Sequence, residues 1–199
     1  MGVAANSRPP SMGYRLNRVK LRHAARVLRA GGVIAYPTEA VFGLGCDPLN
    51  QAAVLRLLAI KQRPIDKGLI LIAHRLEQLL PFLRPLAADV EQRLRETWPG
   101  PVTWLLPARP AAPRWLRGRH STLAVRVTAH PLAAALCEAF GGPIVSTSAN
   151  ASGRPPARSA LQTRLRCPGV DLILSGATGG LARPTPIRDA LSGAVYRPG

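Results

Sequence analysis

The sequence predicts a layered α/β domain whose strands form a mixed sheet. Short apolar runs alternate with segments of helical periodicity along the chain, and this alternation is typical of helices packed on a sheet. The alternation breaks at residues 98–127, where two predicted strands follow each other without a helical pattern between them. Successive parallel strands need a long crossover connection, so we expect some pairs to be antiparallel.

Each predicted helix has apolar residues at helical spacing and a recognisable beginning or end. Gly31 and Gly32 terminate the first helix. Asn50 is a typical N-cap residue for the second, and Pro131 lies in the first turn of the fifth. The predicted helices are residues 16–30, 51–60, 76–83, 87–97, 131–140 and 159–166.

Apolar runs bounded by proline, glycine or polar residues predict the strands. The first run ends at Pro37 and leads into a loop that we expect to extend over residues 38–50. Another opens into a hydroxyl-rich loop, residues 146–152. The predicted strands are residues 33–36, 68–73, 102–106, 122–127, 144–146, 171–174 and 194–196.

The chain has 199 residues, of which 47% are hydrophobic, enough for one domain of ordinary size. We expect residues 1–13, rich in Gly, Ala, Ser and Pro, to form a loose tail, and residues 14–199 to form a single domain. No apolar stretch approaches the roughly 20 residues of a membrane span, and no secretory signal is visible. These features predict a soluble protein of the cytoplasm.

Cysteine and histidine spacing gives no sign of a disulfide framework or a structural metal. The chain has three cysteines without a CxxC pair, and its four histidines form no HxH or HExxH pattern. We therefore expect buried thiols and no structural metal.

Charge is the strongest compositional signal. The 27 lysines and arginines exceed the 10 acidic residues, for a net charge of +17, so the protein should attract anions. Nucleic acid, nucleotides, pyrophosphate and an acidic membrane surface all fit this charge. Only three of the basic residues are lysines, and two of them, Lys61 and Lys67, share one short segment. The shared segment indicates two positions where the compact ammonium of lysine is favoured over the planar guanidinium of arginine, although chance clustering would give the same pattern.

Two polar loops are candidates for an anion site, because loops at strand ends often carry binding residues. Pro64 should turn Lys61 and Arg63 out of their helix so that, with Lys67, they form a phosphate cradle. Simple capping of the helix end would explain the same residues. The second loop offers Ser146, Ser148 and other hydroxyl or amide groups for a phosphate or a hydroxylated substrate, or for a local turn. Neither common nucleotide-binding glycine loop is present.

At these loops the sequence resembles the YrdC family, and the similarity extends over residues 16–199. Several long motifs in the same order make the resemblance specific. The matching stretches are residues 35–47 (AYPTEAVFGLGCD), 61–70 (KQRPIDKGLI), 98–103 (WPGPVT), 123–127 (LAVRV) and 143–150 (PIVSTSAN).

The resemblance implies a three-layer fold with a twisted mixed β-sheet, flanking helices and a basic concave cleft. It also implies synthesis of L-threonylcarbamoyl-AMP from L-threonine, bicarbonate or CO2 and ATP, with release of pyrophosphate. Mg²⁺ would accompany the ATP. The product would pass to tRNA threonylcarbamoyl-transferase proteins for N6-threonylcarbamoyladenosine formation beside the anticodon.

The same resemblance assigns expected roles to ten residues. The KxR and SxN signatures of the family would hold the ATP phosphates and the reacting centre. Other positions would bind L-threonine or contact the nucleotide. The KxR and SxN residues are Lys61, Arg63, Ser148 and Asn150, the threonine residues are Thr38, Arg126 and Ser146, and the further nucleotide contacts are Lys67, Thr122 and Arg197.

Two other functions remain consistent with these residues. A non-catalytic RNA-binding or ribosome-assembly protein would use the basic cleft directly, although aromatic residues make up only 5% of the chain and no RNP-like motif is present. A related enzyme that makes a carbamoyl-adenylate with a different acceptor would share all the phosphate contacts. Only the threonine pocket would separate that enzyme from the threonine-specific one.

Overall fold

The computed structural model describes residues 17–199, so the expected tail at residues 1–13 lies outside the described residues. Nine strands are present there: β1 (Ile34–Pro37), β2 (Phe42–Gly45), β3 (Ile70–Ala73), β4 (Thr103–Pro107), β5 (Thr122–Val127), β6 (Ile144–Ser148), β7 (Leu172–Ile173), β8 (Ile187–Asp189) and β9 (Val195–Arg197). The helices are α1 (Arg18–Arg29), α2 (Gln51–Lys61), α3 (Ala88–Thr97), α4 (Arg114–Arg117), α5 (Pro131–Phe140) and α6 (Ala160–Arg166).

The strands form one twisted, open sheet in the order β7-β1-β2-β6-β3-β5-β4-β8-β9. The pairs β1–β7, β3–β5 and β4–β8 are parallel, and the other pairs are antiparallel. The predicted mixed α/β sheet is therefore confirmed. The order places the ends of β6, β3 and β5 side by side at the centre of the sheet.

Side chains alternate between two faces of the sheet, and each face has its own core. In β3, Leu71 belongs to a large core that also includes residues of α2 and α3. Ile72 belongs to a second core beneath α1 and α5. Further along that second face, Arg126 of β5 and Ser146 of β6 line a cavity instead of a core.

Most predicted elements are present, and their ends shift by only a few residues. The N-cap prediction at Asn50 is confirmed, since its Oδ1 accepts a hydrogen bond from the Ala53 amide at 3.0 Å. The first helix begins at Arg18, with Asn17 as its N-cap. The three cysteines are buried and unpaired. Between residues 17 and 199, no helix is long and apolar enough to cross a membrane.

The helix predicted at residues 76–83 is wrong. This segment forms two short 3₁₀ turns, Leu76–Gln78 and Leu80–Phe82. Pro81 has no amide proton for a helical hydrogen bond, and a residue that precedes proline disfavours helical backbone. The apolar spacing therefore describes burial against the core and not a continuous helix.

The loop predicted at residues 38–50 contains a strand, β2. The glycines of β2 interrupt the apolar run that would predict a strand, but they allow β2 to pack closely against its neighbours. A Cβ on Gly45 would lie 2.6 Å from the Val145 carbonyl oxygen, so a larger residue would separate β2 from its neighbour. No local pattern predicts β8, which pairs with β4 on one side and β9 on the other.

Candidate functional site

The open part of the sheet's second face forms a cavity of about 560 Å³. All ten residues to which the sequence resemblance assigned a role lie on its wall, although they come from positions 38 to 197 of the chain. They are Thr38, Lys61, Arg63, Lys67, Thr122, Arg126, Ser146, Ser148, Asn150 and Arg197. The fold thus brings the predicted site together in one place, while each residue's chemical role stays a prediction.

The end of α2 delivers the KxR residues to this wall. Lys61 is the last residue of the helix, and Gln62 adopts a left-handed conformation with φ of +50°, which stops the helix. Pro64 follows two residues later, so Arg63 lies outside the helix as predicted, whereas Lys61 remains its last residue. The chain next makes a short 3₁₀ turn, Ile65–Lys67, whose last residue, Lys67, lies at the rim of the cavity.

Lys61 is buried, with only 4% of the residue exposed, and its ammonium binds the SxN loop. Its Nζ lies 2.6 Å from the Ser148 carbonyl oxygen, 3.0 Å from Ser148 Oγ and 2.8 Å from Asn150 Oδ1. The Asn150 carbonyl oxygen is a fourth acceptor at 3.3 Å. Since an ammonium has three N–H donors, these oxygens occupy it fully. Lys61 therefore holds the shape of this loop.

Burial lowers the pKa of Lys61 to about 8, and the nearby charge of Arg63 acts in the same direction. Its hydrogen-bond acceptors are all neutral oxygens. The ammonium thus brings a positive charge to the cavity wall that no carboxylate in direct contact neutralises.

Arg63 fixes the turn that follows. Its Nε and Nη2 donate to the Gly68 carbonyl oxygen at 3.2 and 2.9 Å, and Nη2 also reaches the Lys67 carbonyl oxygen at 3.3 Å. Within the described chain, Nη1 has no hydrogen-bond acceptor. Lys67 itself is exposed at the rim. Arg63 and Lys67 are therefore the members of the predicted cradle that keep N–H donors for a ligand.

A second buried cation, Arg126, is 4% exposed. It is in register with Ile72 and Ile144, whereas Lys61 binds the other end of β6 at Ser148, so the two cations mark two ends of the cavity. Its Nη1 donates to Thr103 Oγ1 and Thr185 Oγ1, both at 3.0 Å. Its Nη2 lies 3.4 Å from Glu39 Oε2 in a buried ion pair. Arg197 lies between this group and Arg63: its Nη2 donates to the Thr185 carbonyl oxygen at 2.6 Å. Burial lowers the pKa of Arg197, and the nearby charges of Arg126 and Arg63 act in the same direction.

Glu39 keeps its negative charge in this buried position. Burial alone would raise the pKa of its carboxyl group, but the Arg126 charge and the hydrogen bond from Thr128 outweigh burial. The resulting pKa of Glu39 lies below its ordinary value. Arg126 therefore faces a carboxylate, unlike Lys61.

Sequence reasoning gave no role to three residues of this group. Glu39 and Thr103 lie within the matching stretches. Each is a polar residue beside the end of an apolar strand, and this position was the only sign in the sequence that they belong to the site. Thr185 lies in an irregular segment and reaches Arg126 only because β8 pairs with β4. No local pattern predicts that contact.

The electrostatics of the wall define what the cavity binds. Six cationic side chains line it, and none of its lining residues in the described chain is an aspartate or glutamate. Within residues 17–199, there is also no cluster of three or more potential metal ligands. The cationic residues are Lys61, Arg63, Lys67, Arg117, Arg126 and Arg197. The fold and the site thus define an α/β protein with a cationic cavity, whose charge suits an anion.

Comparison with known proteins identifies the family. The family model Sua5_yciO_yrdC, described as telomere recombination, matches residues 26–199. The chain belongs to this family, which confirms the resemblance seen in its motifs. It is 60% identical over 180 residues to a protein of Halorhodospira halophila named threonylcarbamoyl-AMP synthase, and the match covers 89% of this chain and 94% of that protein.

Solved structures show the same fold. P. abyssi Sua5 complexed with L-threonine matches with a TM-score of 0.83 and 35% identity, and the match covers 88% of this chain and 52% of that one. This chain thus spans about half the length of the P. abyssi protein. E. coli YciO matches with a TM-score of 0.78 and 30% identity, over 92% of this chain and 90% of that one.

Proposed function

We propose that this protein makes L-threonylcarbamoyl-AMP from L-threonine, bicarbonate or CO2 and ATP, and releases pyrophosphate. The observation that carries the proposal is the single cavity with two different ends. One end presents Arg63, Lys67 and the SxN loop for a triphosphate, and the other presents Arg126 for the carboxylate of an amino acid. The name of the Halorhodospira halophila relative and the L-threonine in the P. abyssi complex support this assignment.

The reaction needs positioning and electrostatic stabilisation more than a dedicated base. The uncharged threonine amine adds to CO2, derived from bicarbonate, and forms a carbamate, with one proton released to solvent. A carbamate oxygen then attacks the α-phosphorus of ATP in line, and the bond to pyrophosphate breaks. Negative charge develops on phosphate oxygens, where fixed cations lower the barrier.

Each end of the cavity then has its own task. Arg63, Lys67 and Arg197 would bind the phosphates, with Thr122 as a further nucleotide contact. Lys61 holds the loop of Ser148 and Asn150 against the reacting centre and adds its charge. At the other end, Arg126, Thr38 and Ser146 would bind L-threonine.

Magnesium would enter as part of the nucleotide substrate. Across the described wall of the cavity there is no carboxylate to bind a divalent ion, whereas phosphate oxygens and water are typical Mg²⁺ ligands. The ion would supply further charge neutralisation to the triphosphate. The protein's own cations would orient that complex.

The product is a mixed anhydride, which must be consumed by transfer of its acyl group to a nucleophile. We assign that step to tRNA threonylcarbamoyl-transferase proteins acting on the adenosine beside the anticodon. The site of action would then be the cytoplasm, where tRNA is modified. Direct RNA binding by the basic surface would assist the transfer.

A product assay tests the proposal. Purified protein is incubated with ATP, Mg²⁺ and bicarbonate, with and without L-threonine, and pyrophosphate and threonylcarbamoyl-AMP are measured, the latter by mass spectrometry. We expect product only when threonine and bicarbonate are both present. Replacement of threonine by other amines tests the related carbamoyl-adenylate activity. No adenylate with any amine, together with tight, salt-sensitive RNA binding, would support the non-catalytic alternative instead.

A further inference from the structure

Glu39 is held beside the cavity without lining it. Its Oε1 accepts hydrogen bonds from Thr128 Oγ1 at 2.6 Å and from the Ala129 amide at 3.3 Å. Its main-chain oxygen accepts from the Leu181 amide at 3.0 Å. The two hydrogen bonds to Oε1 hold the carboxylate so that its other oxygen, Oε2, faces Arg126. Glu39 is therefore placed to act on a substrate only through Arg126.

The contact between Glu39 and Arg126 involves one corner of the guanidinium. Nη1 is fixed by the two threonine hydroxyls, and Nη2 faces Glu39 Oε2 at 3.4 Å. Within the described chain, Arg126 Nε and Glu39 Oε2 are both buried without a hydrogen bond. A forked pair would join both guanidinium nitrogens to the carboxylate, and this pair does not. Arg126 is thus fixed in position, yet its Nε–H donor makes no hydrogen bond to Glu39.

We propose that Glu39 is a positioning and specificity residue for the amino-acid end of the cavity. It orients Arg126 toward the single carboxylate of the amino acid. It also neutralises the charge of Arg126, so that phosphate groups bind at the other, uncompensated end. This proposal rests on the proposed function, because it assumes that Arg126 binds the amino-acid substrate.

The surrounding charges support the second part of the proposal. A phosphate group carries more charge than a carboxylate and is attracted by any uncompensated cation in a cavity of low dielectric constant. The wall presents six cationic side chains within about 560 Å³. Of these, Arg126 has a buried carboxylate as its partner, while Lys61 contacts only neutral oxygens. Without Glu39 the two ends would compete for the same anions.

The test uses Glu39→Gln, which keeps the size of the side chain and removes its charge. Pyrophosphate release is measured while threonine and ATP are varied separately. We expect the KM for threonine to rise about tenfold, because the buried charge that orients Arg126 is lost, and the KM for ATP to stay within about twofold. Inorganic phosphate should become a competitive inhibitor against threonine in this variant but not in the wild-type protein.

Two further variants separate the explanations. Thr128→Val leaves the charge but frees the carboxylate to rotate, so the threonine KM should rise by a smaller factor without new phosphate inhibition. Asp171→Asn is the matched control, because Asp171 also accepts from a main-chain amide and pairs with an arginine, Arg56, but outside the cavity. Its threonine KM should not change.

The outcomes are distinguishable. An unchanged threonine KM in Glu39→Gln would overturn the proposal, and so would equal increases in both KM values or the same shift in Asp171→Asn. Thermal unfolding of each variant checks that it folds, and if Glu39→Gln does not, Thr128→Val carries the test. Failure of the wild-type protein to release pyrophosphate with threonine would instead reject the proposed function.

Discussion

The two ends of the cavity hold equally buried cations in opposite ways. Lys61 and Arg126 are each 4% exposed. The lysine is surrounded by neutral oxygens of Ser148 and Asn150, whereas the arginine faces the carboxylate of Glu39. One end therefore adds uncompensated positive charge to the cavity, and the other presents a directional donor with little net charge.

This difference matches the chemistry of the two proposed ligands. A triphosphate carries several negative charges and is best bound where cations lack acidic partners. An amino acid carries one carboxylate, for which a fixed guanidinium is suited by shape. The cavity thus distinguishes its two substrates in two ways. Its cations lie at different positions, and only one of the two buried cations is paired with a carboxylate.

The largest expected effect is at the uncompensated end. Lys61→Met removes the ammonium group that four oxygens contact. The SxN loop should then lose its shape, and the cavity wall should lose one positive charge. We expect kcat/KM for ATP to fall by about 100-fold to 1,000-fold, the range for loss of one preorganised donor. The measurement is threonine-dependent pyrophosphate release.

Lys67→Met is the matched control for this prediction. It removes the same charge from an exposed position at the rim of the same cavity, where charges are screened by solvent. Its loss of activity should be much smaller. Equal losses in the two variants would show that total charge matters and that the buried hydrogen bonds of Lys61 do not.

A pH titration should also distinguish the ends. Because the pKa of Lys61 is about 8, its ammonium loses a proton as the pH rises through that value, and ATP affinity should weaken. Calorimetric titration of ATP from about pH 7 to about pH 9.5 gives the measurement. An ATP affinity that stays constant across this pH range would contradict the prediction.

Folding stability should respond to Lys61 with the opposite sign. The unfolded lysine keeps its ordinary pKa of 10.5, so between about 8 and 10.5 the unfolded chain binds more protons than the folded one. Stability then increases with pH across that window. Urea unfolding of the wild-type protein and Lys61→Met should show this contribution only in the wild type.

A smaller effect is expected for a hydroxyl tether of Arg126. Thr103→Val removes one of the two acceptors of Nη1 and conserves the shape of the side chain. Thr185 and Glu39 still hold the guanidinium, so the threonine KM should rise only a few-fold, from a loss of about 1 kcal/mol. A KM change for ATP of the same size would show that the two ends are not independent.

Local sequence patterns predicted the layers of this fold and failed where tertiary contacts decide the structure. The alternation of apolar runs and helical spacing gave the mixed sheet, and Asn50 correctly marked a helix start. Strand β2 was missed because its glycines serve close packing between strands. The apolar spacing of the two 3₁₀ turns is similar to that of a helix, so it does not distinguish the two structures.

The site shows the same division. The motifs placed ten residues on one wall, but they did not show that Lys61 binds protein oxygens or that Arg63 fixes a turn. The hydrogen bond from Arg126 to Thr185 joins residues 59 positions apart. Such contacts depend on the strand order, which no local pattern determines.

The sheet order has a consequence for folding. The wall is assembled from residue 38 to residue 197, and it joins the central strands to the edge where β8 pairs with β9. Loop closure over such distances is complete only when the whole sheet has formed. A ligand that contacts this whole wall therefore binds the folded chain in preference to the unfolded one, and its binding free energy stabilises the folded domain as a unit.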